Sequence, residues 1–181
     1  MISKKTEIEV KVRVASLAAL RKKLLLLGAT RQCPRLLERN LVFDSPKREL
    51  KEQGILLRLR RSGKQCVLTL KGPAGNHPAY KVREETETEV ADFAAVEDIL
   101  RGIGFLPVFT YEKYREVLRL DRAQVMLDET PIGCFIEIEG APAAIEAIAA
   151  DLGFSREDYI RNSYYSLFLL SGGTGDMVFP R

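Results

Sequence analysis

The chain has 181 residues, 46% of them apolar, enough to bury the core of one ordinary domain, and its 28 basic and 25 acidic residues leave a net charge of +3, too balanced for nucleic-acid binding by bulk charge. Three widely spaced cysteines, Cys33, Cys66 and Cys134, form neither a disulfide framework nor a paired metal motif, and the lone histidine, His77, rules out a multi-histidine metal site and, set in a turn between Gly72-Pro73 and Pro78, reads as a solvated surface residue rather than a triad base. No apolar run reaches the length of a membrane span and the N-terminal residues lack the apolar core of a signal peptide, so a cytoplasmic protein without a membrane or nucleic-acid partner is expected.

The first element is a strand. Glu7, Glu9, Lys11 and Arg13 alternate with Ile8, Val10 and Val12, which puts charges on one face and apolar groups on the other. Ser16 then caps a predicted helix whose Leu17, Leu20, Leu24 and Leu27 share a stripe, with Arg21, Lys22 and Lys23 turned outward and Gly28 at its end. Residues 38–44 read as a second strand, stopped by Ser45-Pro46 and followed by a charged loop to Gly54. Residues 55–61 and 65–71 read as a hairpin around Ser62-Gly63-Lys64, with Arg58 and Arg60 opposing Leu57 and Leu59, and with Val67, Thr69 and Lys71 opposing Leu68 and Leu70.

The strand over 80–90 carries Lys81, Arg83, Glu85, Glu87 and Glu89 at consecutive odd positions, a wholly charged face. Asp92 starts a helix with Phe93, Val96, Leu100 and Ile103 toward the core. A strand over 109–120 aligns Lys113 and Arg115 with Tyr111 and Val117, and a last hairpin over 123–128 and 133–139 ends with Glu137 and Glu139 against Ile136 and Ile138. Pro142 opens a third helix ending near Gly153, and a short helical piece is expected within 158–170. The domain is expected to span 1–170, with 171–181 as a flexible tail.

These elements predict an α+β protein: an eight-stranded antiparallel sheet whose apolar faces are covered by helices. If the sheet closes into a barrel, the charged faces converge on its lumen. Desolvated charges cost several kcal/mol each unless water, mutual pairing or a ligand compensates. The basic set, Lys11, Arg58, Arg60, Lys71, Arg83, Lys113 and Arg115, suits phosphate oxygens, which guanidinium forks bind in bidentate fashion. The acidic set, Glu7, Glu9, Asp128, Glu137 and Glu139, would repel the same ligand unless a hard cation, Mg²⁺ or Mn²⁺, bridged the two. A solvated sheet laced with weak cross-strand ion pairs accounts for the pattern equally well.

Glu7-x-Glu9-x-Lys11 resembles the signature of the CYTH superfamily, the triphosphate tunnel metalloenzymes, and the later motifs follow in order: Phe43-Asp44-Ser45-Pro46, residues 54–60, Thr69-Leu70-Lys71-Gly72, residues 83–87, Lys113-Tyr114-Arg115, Leu127-Asp128-Glu129, residues 135–139 and Ser163-Tyr164. Val42 stands where some members have an aromatic residue, and the His-Phe pair that some cyclase members carry before the first Glu is missing. The resemblance implies a tunnel that holds a triphosphate on the basic set, those residues serving in catalysis as well as binding. It also implies a metal held by Glu7, Glu9, Asp128, Glu137 and Glu139, while Glu85 and Glu87 either touch metal or orient the basic groups. Hydrolysis of a triphosphate (ATP, thiamine triphosphate or inorganic triphosphate) is the first expectation. Class IV adenylate cyclase activity, converting ATP to cyclic AMP and pyrophosphate, and non-catalytic nucleotide or polyphosphate binding are the alternatives, and a homodimer stays open.

Overall fold

The computed structural model describes residues 3–180. Met1, Ile2 and Arg181, the outermost residues of the expected domain and tail, lie outside the described residues. Eight strands form a closed antiparallel barrel in the order β1-β5-β4-β3-β2-β6-β7-β8, so the expected tunnel architecture holds. The strands are β1 (Ser3–Val14), β2 (Thr30–Asp44), β3 (Leu56–Ser62), β4 (Gln65–Lys71), β5 (Lys81–Glu89), β6 (Leu106–Leu120), β7 (Ala123–Thr130) and β8 (Gly133–Glu139). β1 closes the ring by pairing with β5 through Glu7↔Arg83 and with β8 through Lys11↔Glu137.

Alternation decides which residues face out. Val10 and Val12 of β1, Leu118 and Leu120 of β6, Val125 and Leu127 of β7, and Ile136 and Ile138 of β8 form one buried outer layer. It is covered by α1 (Leu17–Leu26) and α4 (Pro142–Leu152) through Leu24, Ile145 and Ile148. Burial of a side chain such as the fully enclosed Leu24 contributes about 2 kcal/mol. Leu27, expected on this stripe, lies past the helix end and is 40% exposed. Arg21, expected to face solvent, instead reaches the fully buried carboxylate of Glu116 on β6, its Nε 2.6 Å from Oε2, and Arg31 completes the pair at 3.0 Å. A buried carboxylate has to be paired, and this one ties α1 to the barrel wall.

The helix α3 (Phe93–Gly102), capped by Asp92, lays Phe93, Val96 and Leu100 on Leu41, Phe43 and Leu59 of β2 and β3. Ile103 is the C-cap and remains exposed. Two strands are longer than their patterns suggest. β2 runs back to Thr30 and carries register shifts on both sides of Cys33; Pro34, which cannot donate to a ladder, sits in the irregular stretch. β6 starts at Leu106, and its pairing is shifted again near Pro107. The charged loop before Gly54 contains a short helix, α2 (Glu49–Glu52), whose Leu50 and Lys51 N–H groups donate to the Asp44 carboxylate.

A short 3₁₀ turn at Arg156–Asp158 leads to α5 (Tyr164–Leu170), capped by Ser163. The segment after it was expected to be a flexible tail, and its contacts correct that expectation. Along its first half β6 is not paired with β7, whose ladder begins only at Tyr114. The chain returns there: Met177 N–H donates to Thr110 O, Glu112 N–H donates to Met177 O, and the Thr110 N–H donates to Asp176 Oδ1 at 2.7 Å. Met177 is fully buried with Phe109, Tyr111, Phe135 and Tyr164. Composition alone, rich in glycine, hid an edge whose unpaired backbone groups need partners.

Candidate active site: a charged tunnel

The inner faces of all eight strands enclose a cavity of about 720 Å³. Every residue of the expected basic set lines it, as do Glu7, Glu9, Glu137 and Glu139. The register explains the convergence. On β1, Glu9 faces Glu139 and Lys11 faces Glu137 of β8, while across β5 the same side of the sheet carries Lys81, Arg83 and Glu85.

The cations are held in pairs. Lys71 lies 2.6 Å from Glu7 and 3.3 Å from Glu85, Lys81 lies 2.7 Å from Glu9, and Lys11 lies 3.1 Å from Glu137. Arg58 reaches Glu87 at 3.3 Å, Thr69 Oγ1 at 3.2 Å and the Tyr111 hydroxyl at 3.4 Å. Among the described residues its Nε–H has no hydrogen-bond partner, and neither has Oε2 of Glu38, which is ion-paired with the Lys113 ammonium at 3.7 Å. Arg60 is held more loosely, 3.8 Å from Glu87 and 3.9 Å from Glu38. Its guanidinium is destabilised by burial and then by Arg58, so that its pKa falls below the ordinary arginine value. A buried guanidinium N–H without an acceptor, in a wall with this many cations, suits an anionic ligand.

Two predicted residues sit differently from the rest. Asp128 is fully buried behind the wall and does not line the cavity. It accepts Arg115 Nε at 2.6 Å, Lys113 Nζ at 3.0 Å and the Tyr164 hydroxyl at 2.7 Å. Burial opposes its ionisation, but Arg115 and Lys113 outweigh that and hold its pKa below the ordinary range. This geometry orients the two cations more directly than it offers a metal ligand. Arg83 spends its guanidinium on backbone carbonyls, donating to Gly72 O at 2.6 Å and also to Gly54 O, and so fixes the loop after β4 at the tunnel mouth.

Electrostatics separate the carboxylates. Burial would raise Glu137 and Glu9, yet Lys11 and Arg115 at the first, and Lys81 at the second, pull both below the ordinary value, Glu137 far below it. Glu85 goes the other way. Burial, then the charges of Glu7 and Glu87, push it up to about 7 against the pull of Lys71. Tyr164 rises well above the ordinary phenol through burial and the Asp128 charge, so it stays protonated as a donor to Asp128.

Several wall residues escaped the sequence reading. Lys81 was on the charged face of β5 but was not assigned to the basic set. Glu38 lies opposite Lys113 in the regular part of the β2–β6 ladder and Tyr111 shares the parity of Lys113, so both face the tunnel, whereas Tyr164 becomes a wall residue only because α5 returns to the barrel. The Lys11 ammonium lies 4.3 Å from the Tyr164 ring centroid and that of Lys113 5.0 Å, contacts that join elements remote in sequence.

Glu7, Glu9, Glu137 and Glu139 supply only oxygen donors, and three of them occupy neighbouring positions on β1 and β8, which fits a hard divalent cation. Among the described residues, no three acidic, His or Cys groups are gathered tightly enough to enclose an ion, because each of these carboxylates turns to a lysine or arginine. Holding a cation here requires those pairs to exchange partners. Among the described residues, no helix is long and apolar enough to cross a membrane.

The family model described as the CYTH domain matches residues 5–164. A Methanocaldococcus jannaschii protein named "Putative adenylate cyclase" is 26% identical over 172 residues, spanning 89% of this chain and 97% of that protein. A Vibrio parahaemolyticus structure, also called a "putative adenylate cyclase", superposes with a TM-score of 0.81 at 19% identity, over 92% of this chain and 99% of that one. A Hippeastrum protein, called a "Putative adenylyl cyclase" and described as revealing a dominant triphosphatase activity, superposes with a TM-score of 0.65 at 22% identity, over 93% and 97%. At these identities the two structural likenesses carry the fold.

Proposed function

The chain belongs to the CYTH domain family, and from that premise we propose that its tunnel binds the triphosphate group of a small molecule and hydrolyses it with a divalent cation, Mg²⁺ or Mn²⁺. The observation that carries this reading is the pairing of the inner wall: Lys11, Arg58, Lys71 and Arg115 each lie within ion-pair distance of a carboxylate, and each lines one cavity. A triphosphate supplies competing oxygens to every one of these cations. As it enters, the lysines and arginines turn to phosphate, and Glu7, Glu9, Glu137 and Glu139 are released to hold the cation.

The bound cation would neutralise phosphate charge, a contribution that the carboxylates alone oppose. The protein's own residues do the rest. Arg58 and Arg115 offer planar forks to equatorial phosphoryl oxygens, Lys11, Lys71 and Lys113 neutralise charge as it develops, and Asp128 with Tyr164 keeps Arg115 and Lys113 aimed at the lumen. Water attacks the terminal phosphorus, the bridging P–O bond breaks with its electron pair going to the diphosphate leaving group, the water proton passes to a phosphate oxygen, and orthophosphate and the diphosphate are released. Catalysis by positioning and electrostatics needs no histidine or cysteine base.

A second reading, cyclisation of ATP with release of pyrophosphate, is favoured by the name of the 26% identical relative. It is favoured too by the apolar side chains of Val42, Phe109 and Tyr165 at one end of the cavity, a surface for an organic group. Incubation with ATP, thiamine triphosphate or inorganic triphosphate under Mg²⁺ or Mn²⁺, with separation of products, tests both. Orthophosphate identifies the hydrolase, and cyclic AMP with pyrophosphate identifies the cyclase. Binding that survives chelation without any product would leave only a binding module.

A further inference from the structure

The segment after α5 lies beyond the CYTH-matched residues, yet it grips the tunnel wall. The inner face of β6 carries Phe109, Tyr111, Lys113 and Arg115, all of which line the cavity. From Tyr114 onward β7 satisfies the second edge of β6. Before that point Asp176 and Met177 do so. The Asp176 carboxylate accepts the Thr110 N–H at 2.7 Å, Met177 N–H donates to Thr110 O at 2.9 Å, and Glu112 N–H donates to Met177 O at 2.9 Å. The Phe179 N–H adds a bond to the Glu112 carboxylate at 3.3 Å. Tyr111 lies between two bonded residues, so this strap fixes its backbone from both sides.

Two phenols depend on the strap, and each reaches a cation of the wall. The Tyr111 hydroxyl accepts from Arg58 at 3.4 Å. The Tyr164 hydroxyl donates to Asp128 at 2.7 Å, and Asp128 in turn accepts from Arg115 and Lys113. The two rings have centroids 6.4 Å apart, and the fully buried Met177 belongs to the same apolar cluster as both. A close-packed interior transmits small displacements, so a shift of this cluster moves the guanidiniums of β3 and β6 together.

We infer that Asp176 and Met177 are positioning residues for the triphosphate: docked on β6, they hold Tyr111 against Arg58 and Tyr164 over Asp128, and so keep the forks of Arg58 and Arg115 aimed at one ligand. The inference rests on the tunnel reading above. Neither residue lines the cavity, so their effect on the ligand passes through the two tyrosines.

Calorimetric titration with inorganic triphosphate tests this, with divalent cations chelated so that turnover does not consume the ligand, at a temperature where every variant is folded. Met177→Ala should weaken binding about tenfold, the order expected when charged forks are turned from their ligand, and Met177→Leu, of similar volume, should restore it. Asp176→Ala, which strips the Thr110 N–H of its acceptor, should act in the same direction, while Asp176→Asn, which keeps an accepting oxygen, should not. Ile148→Ala opens a comparable hole in the outer layer under α4, and should lower the Tm as much as Met177→Ala while leaving triphosphate affinity within about twofold of the wild type. In a Tyr164→Phe background, where the contact with Asp128 is already gone, Met177→Ala should cost much less affinity than it does in the wild type. An equal loss of affinity in Ile148→Ala, or losses from Met177→Ala and Tyr164→Phe that simply multiply, overturns the positioning role and leaves the tunnel reading intact. Failure of triphosphate to bind the wild type overturns both.

Discussion

Lys71 on β4 reaches across β5 to Glu7 on β1, its ammonium 2.7 Å from Oε1 and 2.6 Å from Oε2. The strands that carry the two residues are not hydrogen-bonded neighbours; β5 lies between them, and the pair spans it on the inner face. It joins a residue of the expected acidic set to one of the expected basic set, and both are buried.

Glu7→Gln keeps the size and accepting oxygen of the side chain and removes its charge. Lys71 retains Glu85 at 3.3 Å, so the ammonium is not left alone. Stability should fall by about 1–2 kcal/mol, well short of the loss for an abandoned buried charge. Turnover of triphosphate should fall on the order of a hundredfold or more, since charge at the reacting group is what the substitution changes. Chemical denaturation beside initial rates checks this, and a matched loss in both would reduce Glu7 to a structural role.

Arg115 holds Asp128 through two atoms, Nε to Oδ1 and Nη2 to Oδ2. In Arg115→Lys a point charge replaces the fork, so the same group cannot satisfy Asp128 and also face the lumen. Turnover should drop by roughly tenfold or more, because the fork serves Asp128 and also reaches Glu137. Initial rates on triphosphate check this, and rates equal to the wild type would show that the fork is not used.

Ligand linkage tests the tunnel without presupposing a reaction. A ligand at a hundredfold excess over its Kd stabilises the native state by about 2.7 kcal/mol. For a chain of this length that is a rise in Tm of roughly 5–10 °C. Inorganic triphosphate with Mg²⁺ should give that shift, monophosphate much less, and triphosphate in chelator an intermediate one, because Glu7, Glu9, Glu137 and Glu139 then repel it. Equal shifts for all three would mean that the charges do not act as one site.

Glu85 sets a pH dependence of opposite sign to its neighbours. Its folded pKa of about 7 lies above the ordinary 4.5, so the native state binds the proton more tightly than the unfolded chain does. Its stabilising contribution is complete below pH 4.5 and is lost as pH rises through 7. Glu9, Glu137 and Asp128, with depressed folded values, contribute stability above their ordinary pKa values and lose it as pH falls through the folded ones. Between pH 4.5 and 7.5, Glu85→Gln should therefore gain stability relative to the wild type as pH rises. A constant difference across that window would show that Glu85 does not titrate there.

The inner and outer faces of the strands were legible because alternation is local: a residue's side of a strand depends on its parity, and apolar parity had to meet the helices. So were the residues of the basic set and four of the five carboxylates as lining groups. Bulges around Cys33 and near Pro107 interrupt that local rule, but Glu38 and Tyr111 lie between them in regular register, and parity alone puts them on the face of Lys113 without showing that they belong to the site. The burial of Asp128 was not legible, because parity places a residue on the inner face without saying how deep it lies; Tyr164 arriving from α5 closes over it. The docking of Met177 depended on which edge of β6 the β7 ladder left unpaired. Strand order, closure and the pairing of Lys71 with Glu7 are decided by contacts between residues far apart in the chain. Their free energy appears only once the whole ring has formed, so no window of sequence contains it.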